Sequence, residues 1–136
     1  MGKSEVILLD THAWIWFVSN PELLSAHALE SINKAVREKA VLISSISVWE
    51  VSLLVKRGRL ALTMDLNDWI SRSEGLPFLS FLPVDNEIAH KSVQLPPPLH
   101  DDPADRVIIA SAIINDAVLI TKDQKIQDYP NVKSLW

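Results

Sequence analysis

The sequence contains no cysteine, and that one absence removes disulfides, cysteine-based zinc sites, iron–sulfur ligation and thiol nucleophiles together. It suits a cytoplasm-like setting. No apolar run approaches membrane length: the longest, Val107 to Ile114, is interrupted by Ser111 and stopped by Asn115 and Asp116, well short of the ~18 residues a spanning helix needs. Near the start, Lys3 precedes only the apolar stretch Val6 to Leu9 before Asp10, so a secretory apolar region of ~7 to 15 residues is lacking. The expectation is a cytoplasmic protein with no membrane contact. A basic excess is lacking too: 13 Lys+Arg against 17 Asp+Glu give a net charge of -4, which argues against a DNA binder that coats phosphates. A nucleic-acid substrate stays open, because acids clustered around a metal would inflate this count. The 4 histidines form no ligand pair at helical spacing, and no repeat or low-complexity segment appears beyond Pro96-Pro97-Pro98.

What is present is a chain of 136 residues with 48% apolar and 22% charged residues and a mean hydropathy of +0.14, the composition of one folded domain spanning 1–136. Val6 to Leu9 is a short, wholly apolar run, the pattern of a strand covered on both faces in a parallel sheet. Ala40 to Ile43, Pro77 to Val84, Ala117 to Ile120 and Val132 to Leu135 read as further strands. Between them lie helical patterns. His12 to Val18 is broken by Asn20-Pro21, and Glu22 to Lys39 carries one apolar face through Leu24, Ala28, Ile32 and Val36. Ser47 and Glu50 match a capping box opening a helix that runs through Val55 and stops at Gly58. Asp65 to Ser73, Asp85 to Val93 and Asp102 to about Asn115 complete the set, the last opening with Pro103 at its first position. Short apolar strands alternating with helices predict an α/β fold with a mostly parallel sheet.

The acidic residues sit where strands end. Asp10 follows the first strand, Glu50 lies just inside the helix after the second, Asp102 and Asp105 open a late helix, and Asp123 follows Ala117 to Ile120. In open parallel sheets functional groups gather at the carboxyl ends of strands, so Asp10, Glu50 and Asp123 are expected on one edge. Each acid alone has an ordinary explanation. Asp10 and Asp102 suit helix caps, Glu50 a capping box, Asp105 the positive end of a helix, and Asp123 a turn. Together they pose a problem, since two unit charges ~4 Å apart repel by about 4 kcal/mol at an effective dielectric near 20. A cation resolves it, and oxygen donors without cysteine or paired histidine point to Mg²⁺ or Mn²⁺.

Four blocks now carry a resemblance. Val6 to Ala13 with Asp10-Thr11, Ile43 to Glu50, His100 to Arg106 and Leu119 to Asp123 together resemble the PIN-domain family, and within it the VapC-like toxin ribonucleases. The resemblance covers Val6 to Trp136 in order and spacing. It implies a three-layer α/β/α sandwich and a Mg²⁺- or Mn²⁺-dependent endoribonuclease, the toxin of a type II toxin–antitoxin pair, as a homodimer blocked by a cognate antitoxin. The family's acidic quartet falls on Asp10, Glu50, Asp105 and Asp123, with Asp102 an additional metal ligand or supporting group. Thr11 and Thr121 fall on its small hydroxyl positions. The resemblance further implies RNA products with 5′ phosphate and 3′ hydroxyl ends.

Other residues carry less. Lys56, Arg57 and Arg59 are a compact basic cluster that suits either RNA phosphates or a helix C-terminus. Trp14, Trp16 and Trp49 favour core or interface packing over base stacking, and Trp69 reads as an exposed apolar position for a dimer. His12 and His100 read as loop or packing hydrogen bonders, Arg106 as a structural ion pair. Two rival functions remain. A haloacid-dehalogenase-type phosphatase also begins with a strand ending in Asp, but needs a second Asp two positions on, where this chain has His12. A PIN fold that binds RNA or protein without turnover is the other.

Overall fold

The computed structural model describes residues 5–136; Lys3, on which the reading of the chain's start partly rests, lies outside them. In chain order the elements are β1 (Ile7–Leu9), α1 (Thr11–Ser19), α2 (Ala26–Arg37), β2 (Val41–Ser44), α3 (Ser45–Lys56), α4 (Leu66–Glu74), β3 (Leu79–Leu82), α5 (Asn86–Gln94), α6 (Pro103–Ile114), β4 (Val118–Ile120), α7 (Gln124–Gln127) and β5 (Ser134–Leu135). The strands form one sheet in the order β3-β2-β1-β4-β5, with every pairing parallel. The expected α/β/α sandwich is observed. Its physical basis is strand alternation: Ile7, Leu9, Val41, Ile43 and Leu79 pack into one core with α1, α2, α3 and α4, while Leu8 and Leu119 pack into a second with α6 and α7. The central strand β1 is therefore apolar throughout because both its faces are covered.

The topology builds an edge. From β1 the chain fills β2 and β3 on one side, then crosses to β4 and β5 on the other, so the order reverses beside β1. A crevice opens at the carboxyl ends of strands at such a switch point. Asp10 leaves β1 there, its backbone N–H bonded to the Ile120 carbonyl at 3.1 Å, which ties the ends of β1 and β4 together.

Several elements depart from the sequence reading. The expected helix from Glu22 to Lys39 is split: a 3₁₀ turn at Pro21–Leu23 precedes α2, because the Ser25 hydroxyl accepts the Ala28 N–H at 2.9 Å and caps a later start. α3 begins at Ser45 rather than Ser47, capped by Ser44. Ser47 thus lies within the first turn and is buried, and the Ser47–Glu50 capping box does not form. Gly58 does end this helix, with φ +69, a conformation glycine adopts without steric cost. After β4 the chain forms the short α7, which no sequence pattern announces and which Asp123 caps. Trp69 is 2% exposed, not a surface position: α4 turns it inward against the Trp14 ring at 4.6 Å between centroids. Trp14 itself is fully buried and donates from Nε1 to Ser73 Oγ at 3.1 Å.

Candidate active site

The carboxylates are held by the same caps that offered their ordinary explanation. Asp10 caps α1, its Oδ1 accepting from the Ala13 N–H at 2.8 Å. Asp102 caps α6 through Oδ1 and the Asp105 N–H at 2.9 Å, and Asp123 caps α7 through Oδ1 and the Lys125 N–H at 2.8 Å. Capping and convergence are not rivals here. Each cap engages one carboxylate oxygen and fixes the other's position, and all three helices start at the same edge of the sheet.

That edge holds a cleft of about 570 Å³ lined by Asp10, Thr11, His12, Trp16, Glu50, Asp102, Asp105, Lys122 and Asp123. All five expected acids line it. A second cavity of about 630 Å³, between Phe17, Leu62, Trp69 and Phe78, has no Asp, Glu or His in its lining and offers no acid–base chemistry. Glu50 reaches the cleft from the second turn of α3. Its Oε1 accepts from Thr11 Oγ1 at 2.5 Å, and Thr11 Oγ1 lies 2.8 Å from Ser47 Oγ. A hydroxyl has a single proton; with Thr11's given to the carboxylate, Ser47 donates to Thr11. The early start of α3 explains this relay, because it buries Ser47 beneath Thr11. Thr121 is fully buried and accepts the Asp123 N–H at 3.1 Å, shaping the turn that presents Asp123.

Electrostatics mark the cleft as a place where negative charge is crowded. Burial pushes the Asp10 carboxyl above its ordinary 3.8, against the lowering influence of the Thr121 hydroxyl, the Ala13 N–H and His12, and Asp105 adds repulsion. Glu50 is raised above 4.5 by burial, opposed by the Thr11 hydroxyl, with Asp105 and Asp102 raising it further. Asp105 is raised by burial, opposed by its bond to His100, with Asp102 and Asp123 repelling. Acids distant in sequence therefore feel one another's charge, the condition that makes a bound cation favourable.

Sequence reasoning missed several participants. His100 Nε2 donates to Asp105 Oδ2 at 2.7 Å, so this histidine touches the carboxylate set while its Nδ1 is buried without a hydrogen-bond partner among the described residues. The signal was present in the spacing of His100 and Asp105 across the α6 start. Arg106 forms no ion pair among the described residues. Its guanidinium donates instead to the carbonyls of Ser92 at 3.0 Å, His100 at 3.2 Å and Val93 at 3.4 Å, because the end of α5 presents carbonyls that no helical N–H satisfies. It thereby fixes the loop carrying His100. Lys122, His12 and Trp16 join the cleft, whereas Lys56, Arg57 and Arg59 are exposed at the far end of α3 and line none of it. Trp49 is 53% exposed.

Among the described residues, no three Asp, Glu or His side chains form a ready-made cage for an ion. The donor set still suits one kind of cation. Mg²⁺ retains several waters and binds through one or two carboxylates, so hard oxygens around an open cleft fit it, while Zn²⁺ favours nitrogen and sulfur in a closed tetrahedron. Mn²⁺ shares the preference for oxygen.

A family model described as PIN domain matches residues 7–132. The chain belongs to the PIN-domain family. Its similarity to the protein named Ribonuclease VapC22 of Mycobacterium tuberculosis is 29% identity over 133 residues, covering 96% of this chain and 98% of that one. Solved structures share the PIN fold: VapBC2 from Rickettsia felis bound to a promoter DNA fragment, at a TM-score of 0.72 and 16% identity, covers 96% of this chain and 97% of its own. DNA-bound VapBC from Salmonella typhimurium gives 0.66 and 21% with the same coverage, and FitAcB from Neisseria gonorrhoeae 0.65 and 23%, again over 96% of this chain and 97% of that one. At these identities the structures speak for the fold. The PIN assignment sets aside the phosphatase alternative, whose second Asp is His12 here.

Proposed function

We propose that this PIN domain is a divalent-metal-dependent endoribonuclease that hydrolyses RNA phosphodiesters and serves as the toxin of a type II toxin–antitoxin pair. The observation that carries this reading is the convergence of Asp10, Glu50, Asp102, Asp105 and Asp123 on one cleft with mutually raised carboxyl groups. Full-length similarity to a protein named a ribonuclease supports the substrate. Asp10, Glu50, Asp105 and Asp123 are the catalytic acids of the proposal, and with Asp102 they would hold Mg²⁺ or Mn²⁺. A divalent cation supplies Lewis-acid charge to a phosphodiester oxygen and makes water a better nucleophile at neutral pH. The chain's own part is orientation. Caps lock one oxygen of Asp10, Asp102 and Asp123; the Thr11 hydroxyl steers Glu50; Thr121 shapes the turn before Asp123; and His100 holds one oxygen of Asp105.

The partners of the proposal are RNA, a cognate antitoxin, supported by the likeness to a solved structure described as a toxin–antitoxin complex from Klebsiella pneumoniae at a TM-score of 0.60 and 21% identity, and a second copy of the chain. With Trp69 buried, Val18, Leu23, Trp49, Val84 and Val93 are the exposed large apolar residues available to such interfaces among the described residues. No helix among the described residues is long and apolar enough to cross a membrane, and a toxin acting on cellular RNA works in the cytoplasm. The test is cleavage of single-stranded RNA in Mn²⁺, with and without chelator, beside Asp10→Asn and Asp105→Asn. Only the native protein with metal is expected to cut. Equal cutting by the Asn variants overturns the assignment, and tight RNA binding without any cutting supports the non-hydrolytic PIN module instead.

A further inference from the structure

One feature of the cleft lies outside the carboxylate chemistry. Trp16, one turn beyond His12 on α1, presents a half-buried indole to the same cavity as the acids. Its ring is fixed by its neighbours: the His12 centroid is 5.7 Å away, and Trp136 meets it edge-on at 5.7 Å. The Lys122 ammonium sits 5.7 Å from the Trp16 centroid, and Lys122 is the sole Lys or Arg lining the cleft among the described residues. The contrast with Trp14, wholly enclosed in the core, is physical. An indole needed only for packing has no reason to face an acidic cavity beside its single cation.

We propose that Trp16, His12 and Lys122 form a subsite for one unpaired nucleotide of RNA, with Lys122 on its phosphate and Trp16 against its base. This rests on the ribonuclease reading above. A divalent ion neutralises the carboxylates at the centre of the cleft, but a flanking phosphate needs a positive charge of its own, and Lys122 is the available one. At 5.7 Å the ammonium is near the outer limit of ~6 Å for a cation–π contact. Its transfer to a phosphate oxygen exchanges a weak contact for a charge-assisted one and clears the ring for a base. Stacking on a rigid aromatic tolerates any base, since each has a π-face. It requires an unpaired one, because in a duplex both faces are covered by neighbours and the major groove is too narrow for side chains. The subsite thus selects strandedness rather than sequence.

The experiment measures anisotropy of a labelled, unstructured oligoribonucleotide in Ca²⁺ in place of Mn²⁺, so that binding is read apart from turnover, together with KM and kcat for its cleavage in Mn²⁺. Lys122→Ala is expected to raise KM with kcat nearly unchanged and to make the slope of log affinity against log salt shallower by about 0.7, one phosphate contact on a single strand. Lys122→Arg restores both. Trp16→Leu weakens binding about tenfold at every salt concentration, with the slope retained, and Trp16→Phe recovers part of the loss. Lys133→Ala, which removes an exposed charge paired with Asp116, changes nothing. The proposal falls if Lys122→Ala behaves as native, if folded Trp16→Leu binds as tightly as native, or if a duplex binds as well as the single strand. Should Trp16→Leu not fold, Lys122→Ala, at an exposed side chain, decides the matter. A native protein that neither binds nor cuts RNA overturns the ribonuclease reading and the subsite together; one that does so while the variants match it overturns the subsite alone.

Discussion

Replacing Asp10 separates the two tasks its carboxylate performs. As a cap it accepts the Ala13 N–H, a role asparagine fills nearly as well, while as a buried charge it is repelled by Asp105. Asp10→Asn therefore removes the charge and keeps the cap; Asp10→Ala removes both. Loss of an N-cap costs about 1 kcal/mol. For a chain of 136 residues each kcal/mol corresponds to about 3 to 4 °C in melting temperature, so the Asn variant is expected to melt about 3 to 4 °C above the Ala variant. In chelator at neutral pH it should also melt above the native chain. The sign follows from the direction of the shift: a carboxyl raised above 3.8 in the folded state binds its proton more tightly there than when unfolded. The stability it contributes is complete below 3.8 and is lost as the pH rises through the raised value, so the native chain loses ground to Asp10→Asn as the pH climbs above 3.8. Metal reverses the order. At Mn²⁺ about 100 times its Kd the native chain gains about 2.7 kcal/mol, or about 9 °C, and the variant far less. Scanning calorimetry in EDTA and in Mn²⁺, in acid and at neutral pH, reads all of this. A native chain more stable than Asp10→Asn in neutral chelator, or equal gains from Mn²⁺ in both, refutes the crowded-charge argument.

Two further predictions concern the groups around Asp105. His100→Gln keeps an amide N–H at the position of Nε2 and should preserve Mn²⁺ affinity, whereas His100→Ala should lower it about 10- to 100-fold, as loss of a carboxylate's supporting partner does; titration of the Mn²⁺ electron-spin signal separates them, and equal affinities dismiss the role. Arg106→Met strips donors from three carbonyls and should cost about 1 to 3 kcal/mol in urea unfolding. Arg106→Lys should recover little, since one ammonium cannot span the three; full recovery would show that charge alone matters there.

Local chemistry was legible wherever a residue acts through its own neighbours in sequence. The apolar runs at Ile7–Leu9 and Val118–Ile120 declare strands covered on both faces, and Asp102-Pro103 declares the start of α6, because pattern and capping are short-range properties. The acids of the cleft were legible as well, since strand ends in a parallel sheet share an edge. What the tertiary structure decided depends on distances between residues far apart in the chain. Ser47 looks like a cap in sequence and lies instead beneath Thr11, because β2 extends to Ser44 and moves the helix start. Trp69 looks exposed and is buried, since only packing of α4 against Trp14 sets which face turns inward. Trp16 and Lys122, separated along the chain, meet over one cavity because β1 and β4 are neighbours in the sheet. Propensity fixes elements one at a time, whereas burial and charge are sums over whatever the fold brings within reach.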